Sequence, residues 1–172
     1  PLDNVLPEKV AQYLGVPIYT TTLAPNDLVN TGGNFMSDGM GTAFASELIL
    51  DENASGNPYG VSVKSEAEID DIFFNYMGIS RYIKMGKLPY DVIHHIDMHM
   101  KLLDEETLLV GQYPAGVADG PQIEANLQYV LNNFNTSFGT PYKVIRVPMP
   151  PENNVYPNSG GDYRTYANAV FV

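Results

Sequence analysis

Cysteine is absent from the 172 residues. That excludes disulfides, Cys-ligated zinc and iron–sulfur clusters, and it leaves the chain with no thiol nucleophile of its own. Basic residues are few. Nine Lys and Arg stand against 20 Asp and Glu, a formal net charge of −11, and the pI is near 4.4. Such a chain repels nucleic acid and anionic membranes. A cationic small molecule or a basic peptide is its more natural partner. Long apolar runs are also missing. No window approaches ~18 consecutive apolar residues, so no membrane-spanning helix is expected. Charged residues of both signs make up only 17%, below the usual quarter, while Asn, Tyr, Gly and Pro are plentiful. That balance leans toward an extracytoplasmic protein. No signal peptide is visible. The first residue is Pro1 rather than Met, as expected of a processed or trimmed end.

What is present suffices for a packed domain. Apolar residues reach 44%, and a chain of this length buries roughly 70% of its unfolded surface. Three helices are legible. The first runs from about Pro7 to Leu14, with Val10, Ala11 and Leu14 on one face and Gly15 as its stop. The second opens with the capping box Ser65-x-x-Glu68. Ile69, Ile72, Phe73, Tyr76 and Met77 follow at helical spacing, and Gly78 ends it. The third begins at Asp119, with Pro121 in its first turn and a stripe of Ile123, Leu127, Val130, Leu131 and Phe134.

Each helix precedes a β-branched and aromatic segment that reads as a strand: Ile18–Leu23, Arg81–Met85 and Lys143–Val147. After each strand comes a polar motif and a hairpin-like stretch. The first is Thr31-Gly32-Gly33-Asn34, then Phe35–Ser37, a turn at Asp38-Gly39, and a strand Thr42–Leu50. The second is His94-His95-Ile96-Asp97, then Met98–Leu103, an acidic turn and Thr107–Gln112. The third is Thr165-Tyr166-Ala167-Asn168, then Ala169–Val172. The spacing predicts one partial domain of repeated units, roughly 7–50, 65–112 and 119–172. A unit of this kind cannot bury its own faces, so its neighbours must pack about an axis. Equivalent positions then converge there, which would place Gly33, Asn34, His95, Asp97 and Asn168 around one pocket. The third unit stops within its hairpin, so part of the domain is expected outside this chain.

All three histidines lie in the string His94–His99. On a strand, His95, Asp97 and His99 would share a face. Three readings are open for them: an acid/base imidazole with a cation-fixing carboxylate, a three-ligand metal site, or a polar strand face satisfied by the backbone. Gly33 would let a ligand approach the backbone closely; a tight turn explains the same string. Asn53-Ala54-Ser55 and Asn135-Thr136-Ser137 match the glycosylation pattern, a match common by chance.

The strings TGGNFMSDGMGTAFAS, HHIDMHMKLLDEETLLVGQYP, DGPQIEANLQYVL and GGDYRTYANAVFV together resemble the bacterial agmatine deiminase and Porphyromonas-type peptidylarginine deiminase family, of the guanidino-group-modifying, or pentein, superfamily. The resemblance implies an α/β fold, an α/β-propeller of ββαβ-type modules around a pseudo-fivefold axis, with about three of five modules in this chain. It implies hydrolysis of a guanidino group, in agmatine or peptidyl-arginine, to a ureido group plus ammonia, with no metal or other cofactor. Carried over by motif, His95 is similar to the general acid/base and Asp97 to a carboxylate that grips the guanidinium. Asn168 falls on a substrate-pocket asparagine, and Gly33 and Asn34 sit in the family's Gly-Gly strand start, which assigns them to the pocket. In the family a first gripping carboxylate lies upstream of Pro1 and the nucleophilic Cys downstream of Val172. The expected partners are a cationic guanidino substrate and the remainder of the catalytic domain. The position before His95, often Gly in relatives, is His94 here. Two alternatives remain: an inactive module that binds guanidinium groups, and a metal-dependent hydrolase using His95, Asp97 and His99.

Overall fold

The computed structural model describes residues 5–152 and 162–169. It is a mixed α/β structure of two three-stranded sheets. The sheets share one plan. A hairpin is followed by a helix, and the helix returns the chain to a strand parallel to the hairpin's second strand. In the first sheet β1 (Met36–Ser37) pairs antiparallel with β2 (Thr42–Ser46), and β2 pairs parallel with β3 (Arg81–Met85), Phe44 opposite Ile83. In the second, β4 (Met100–Leu102) pairs antiparallel with β5 (Thr107–Gln112), and β5 pairs parallel with β6 (Lys143–Pro148), Leu109 opposite Ile145.

Proline, a capping box and glycine mark most of the helix ends. The helix α1 (Leu6–Leu14) carries Pro7 in its first turn and stops at Gly15, whose φ of 67° is left-handed. A short α2 (Leu48–Asp51) leads to α3 (Glu66–Met77). Ser65 and Glu68 close a complete capping box on α3, and Gly78 ends it at φ 70°. The last helix, α4 (Gly120–Asn133), holds Pro121 in its first turn. Asp119 precedes it but does not cap it; Oδ1 accepts from the Tyr90 amide at 2.8 Å instead.

Several expected features differ. The segment 18–23 forms no strand. Strand backbone needs a pairing partner, and no described segment pairs with it. Of the face expected to hold Val10, Ala11 and Leu14 together, Val10 and Leu14 are 47% and 61% exposed, and only Ala11 is buried. The expected strand Thr42–Leu50 stops at Ser46, whose hydroxyl accepts from the Leu48 amide at 3.2 Å and helps turn the chain into α2. On α3 the buried residues are Ile69, Ile72 and Phe73, whereas Tyr76 and Met77 reach solvent. The expected strand Ala169–Val172, beyond its first residue, and most of the loop Pro148–Gly161 lie outside the described residues.

One core cluster spans both sheets. Phe44, Ile83 and Met85 from the first pack with Met100, Leu108 and Val110 from the second, under Ile123, Leu127 and Val130 of α4. Full burial of each large side chain stabilises by roughly 1.5–3 kcal/mol. A second cluster packs α3 and α2 on the first sheet through Ala43, Ala45, Ile49, Ile69 and Phe73. Asn53 anchors this side. It is fully buried, and its amide donates to the carbonyls of Val29 and Ile49, each at 2.8 Å, and accepts from the Val29 amide at 2.9 Å. An asparagine so enclosed is a structural residue and cannot accept a glycan. No helix among the described residues is long and apolar enough to cross a membrane.

Candidate functional site

Two single 3-10 turns occupy the same place in the two sheet units, just before β1 and β4. One covers Gly32–Asn34, the other Ile96–Met98, with His95 at its N-terminus. The second turn replaces the strand expected through His95, Asp97 and His99, so the alternation of a strand does not apply to them. The two turns pack together, and their contact is intimate. A β-carbon built on Gly33 would lie 2.4 Å from Nδ1 of His95 and 3.1 Å from both carboxylate oxygens of Asp97. Both side chains therefore rest against the bare α-carbon of Gly33. No larger residue fits there without moving them.

The turns are joined through one amide. Asn34 is fully buried. Its Oδ1 accepts from the Ser46 amide at 2.9 Å and the Ile96 amide at 3.2 Å, and its Nδ2 donates to the Ser46 carbonyl at 3.3 Å. His94 enters the turn at φ 60°, in the left-handed region. A side chain there costs roughly 1–2 kcal/mol relative to glycine. The backbone is held in place from two directions: the His94 amide donates to Asp91 at 2.7 Å, and the His94 carbonyl accepts from the Ser46 hydroxyl at 2.5 Å.

Burial raises the Asp97 carboxyl above the ordinary carboxylate range, against the pull of His95 and Lys101. Its Oδ1 is buried with no hydrogen-bond partner among the described residues. An acceptor in this state gains most from a cationic N–H donor. His99 does not join the pair. It is 2% exposed, both ring nitrogens lack a partner among the described residues, and burial lowers its pKa to about 4. Among the described residues no group of three or more His, Asp or Glu is arranged to hold a metal ion. The His95, Asp97 and His99 ligand set therefore has no geometry behind it.

Asn168 is exposed, and its amide lies 3.6 Å from the sulfur of Met98, the residue after Asp97. It thus reaches the His94–His99 string, with no hydrogen bond to His95 or Asp97 among the described residues. Beside it opens a cavity of about 310 Å³, lined by Asp91, Met98, Tyr113, Asp119, Tyr163 and Thr165 among others. The Tyr113 and Tyr163 rings meet edge-on at 4.8 Å. Burial, and then Asp91, raise the Asp119 carboxyl.

The model of the Porphyromonas-type peptidyl-arginine deiminase family matches residues 1–172, the whole chain. The chain belongs to that family. Solved structures agree in fold. A candidate arginine deiminase of Porphyromonas gingivalis superposes with a TM-score of 0.64 at 26% identity, over 82% of this chain and 40% of that one. Campylobacter jejuni agmatine deiminase gives 0.69 at 20% identity, over 99% and 46%. Enterococcus faecalis agmatine deiminase gives 0.65 at 19%, over 94% and 42%. The chain thus spans less than half the length of these relatives.

In this deiminase-family chain, sequence reasoning paired Gly33, His95 and Asp97 and missed Ser46, Asp91 and Asp119. Ser46 closes an apolar strand as its one polar residue after Thr42, a faint signal. Asp91 stands three residues before His94, a spacing suited to side-chain capping of a turn.

Proposed function

We propose that this chain is the part of a guanidine deiminase that carries the general acid/base and one gripping carboxylate. The observation that carries the reading is the buried Oδ1 of Asp97, without a partner among the described residues, against Gly33 and beside His95. A guanidinium is flat, cationic and resonance-stabilised. A carboxylate engages its N–H edge and fixes its plane. The raised pKa of Asp97 marks a charge that burial disfavours and a bound cation restores.

The chemistry then follows. A thiolate from outside this chain attacks the central carbon and forms a C–S bond. His95, protonated, donates to the departing nitrogen, and ammonia leaves. The neutral imidazole next takes a proton from water, which attacks the same carbon. The C–S bond breaks, returning the thiolate and releasing a ureido product. Gly33 forms the wall that leaves room for both side chains, Asn34 supports that wall, and Asn168 lines the far side of the substrate. The two sheet units are read as two modules of a five-module propeller, with the remaining modules completing the axial well. Agmatine and peptidyl-arginine are the substrate candidates. One relative, Campylobacter jejuni agmatine deiminase with Ser in place of its Cys, is solved with substrate bound.

The test is ammonia release by the full-length protein carrying this segment, against agmatine, free arginine and an arginine peptide. Turnover of one of them, abolished in His95→Ala with the fold intact, supports the reading. A His95→Ala protein within a few-fold of wild type overturns it. Binding by calorimetry with no ammonia from any substrate marks a guanidinium-binding module instead.

A further inference from the structure

The site has a feature that the deiminase reading does not use. Two side chains of the first sheet unit hold the main chain on either side of His95. The Ser46 hydroxyl donates to the carbonyl of His94 at 2.5 Å, and the side-chain Oδ1 of Asn34 accepts from the amide of Ile96 at 3.2 Å. Ser46 and Asn34 are locked to each other by two further bonds, the Ser46 amide to Asn34 Oδ1 at 2.9 Å and Asn34 Nδ2 to the Ser46 carbonyl at 3.3 Å. Neither residue is more than 1% exposed. Resting on the deiminase reading, we propose that Ser46 and Asn34 are positioning residues, a rigid bracket that clamps the main chain on both sides of His95 and so aims its ring at the reacting nitrogen.

Three points carry this. First, the bracket belongs to the first sheet unit and the imidazole to the second, so it fixes the turn of one unit against the other. Second, Oδ1 of Asn34 spends two acceptor sites on main-chain amides. That leaves Asn34 as support for the turn rather than a contact to substrate. Third, His94 sits at φ 60°, where its side chain disfavours the backbone it must adopt. A left-handed residue beside a proton-transfer group needs external clamps to persist. Ser46 supplies one, and Asp91 takes the His94 amide from the other direction at 2.7 Å.

The experiment uses the full-length protein with Ser46→Ala, and two substrates. One is the guanidine that the wild type turns over. The other is its S-methylisothiourea analogue, whose thiolate leaving group departs without a proton from His95. Misaimed acid catalysis costs on the order of 10- to 100-fold in kcat. The expected result is that loss for the guanidine with KM within about threefold, while the first-turnover burst of methanethiol changes less than about threefold. Equal losses for both substrates, or no loss, overturn the bracket. If Ser46→Ala does not fold, Ser46→Cys, which keeps a weak donor, is read by the same ratio. NMR relaxation of the His95 ring gives a second readout, with faster local motion expected in the variant. A wild type inactive on every guanidine rejects the deiminase reading; the bracket is then judged by the ring alone, and an equally ordered ring in the variant overturns it.

Discussion

The α-carbon of Gly33 stands so close to His95 that a β-carbon on it would come within 2.4 Å of Nδ1. Gly33 has no left-handed φ to explain its identity; close approach explains it. Gly33→Ala should fold, since a side chain and not backbone is in the way. It should displace His95 and Asp97 together and lower kcat by on the order of 100-fold. Ammonia release, with thermal melting alongside, checks this. A melting point far below wild type would show the contact to be mainly structural.

Asp97→Asn keeps the shape and removes the charge. Guanidinium binding should weaken by at least ~2 kcal/mol, the scale of a charge-assisted contact left unpaired. Calorimetry on the full-length protein measures it. The same carboxyl sets a pH dependence. Burial raises its pKa, so it takes up a proton at a higher pH than an ordinary aspartate. The cation binds the ionised form, so affinity should fall as pH drops through that raised value. The Asn variant should lose that slope.

His99 makes a separate acid sensitivity. Its pKa is lowered from 6.5 to about 4, so the fold holds the neutral ring while the unfolded chain takes a proton near 6.5. The unfolded state then binds more protons in that window. Stability should fall as pH drops from about 6.5 to about 4, by about 1.4 kcal/mol per unit, and level off below. Urea unfolding of wild type and His99→Phe at pH 7 and pH 5 isolates the effect; from pH 7 to pH 5 the wild type should lose stability relative to the variant.

His94 carries a side chain at φ 60°, and its Nδ1 is buried without a partner among the described residues. His94→Gly should therefore stabilise by up to about 1 kcal/mol, the relief of left-handed strain less the entropy glycine adds to the unfolded chain. Chemical denaturation measures this. His94→Ile should destabilise, because branching at Cβ worsens the same conformation.

The sequence showed the helices best where punctuation was local. Ser65, Glu68 and Gly78 mark both ends of α3, and Pro121 marks the first turn of α4. It showed the strands less well. The break after Ser46 depends on one hydroxyl, and the segment 18–23 has strand composition but no described partner. Of the site, the Gly-Gly-Asn and His-His-Ile-Asp strings were legible as chemistry, and the structure packs Gly33 against His95 and Asp97. Their geometry was not legible, because a 3-10 turn replaced the strand that alternation assumed. Ser46 and Asp91 stayed hidden because they act on main-chain atoms, which leave no trace in residue type.

Phe44, Ile83 and Met85 share one core cluster with Met100, Leu108 and Ile123 from the later sheet unit. At the far end Ser137 reaches back to Asp38 at 2.5 Å. A nick in the connecting stretch near residue 90 would thus yield two half-built pieces, each with a raw greasy wall and only one of the two turns. The two sheet units close each other's core, so neither is a ready-made part on its own.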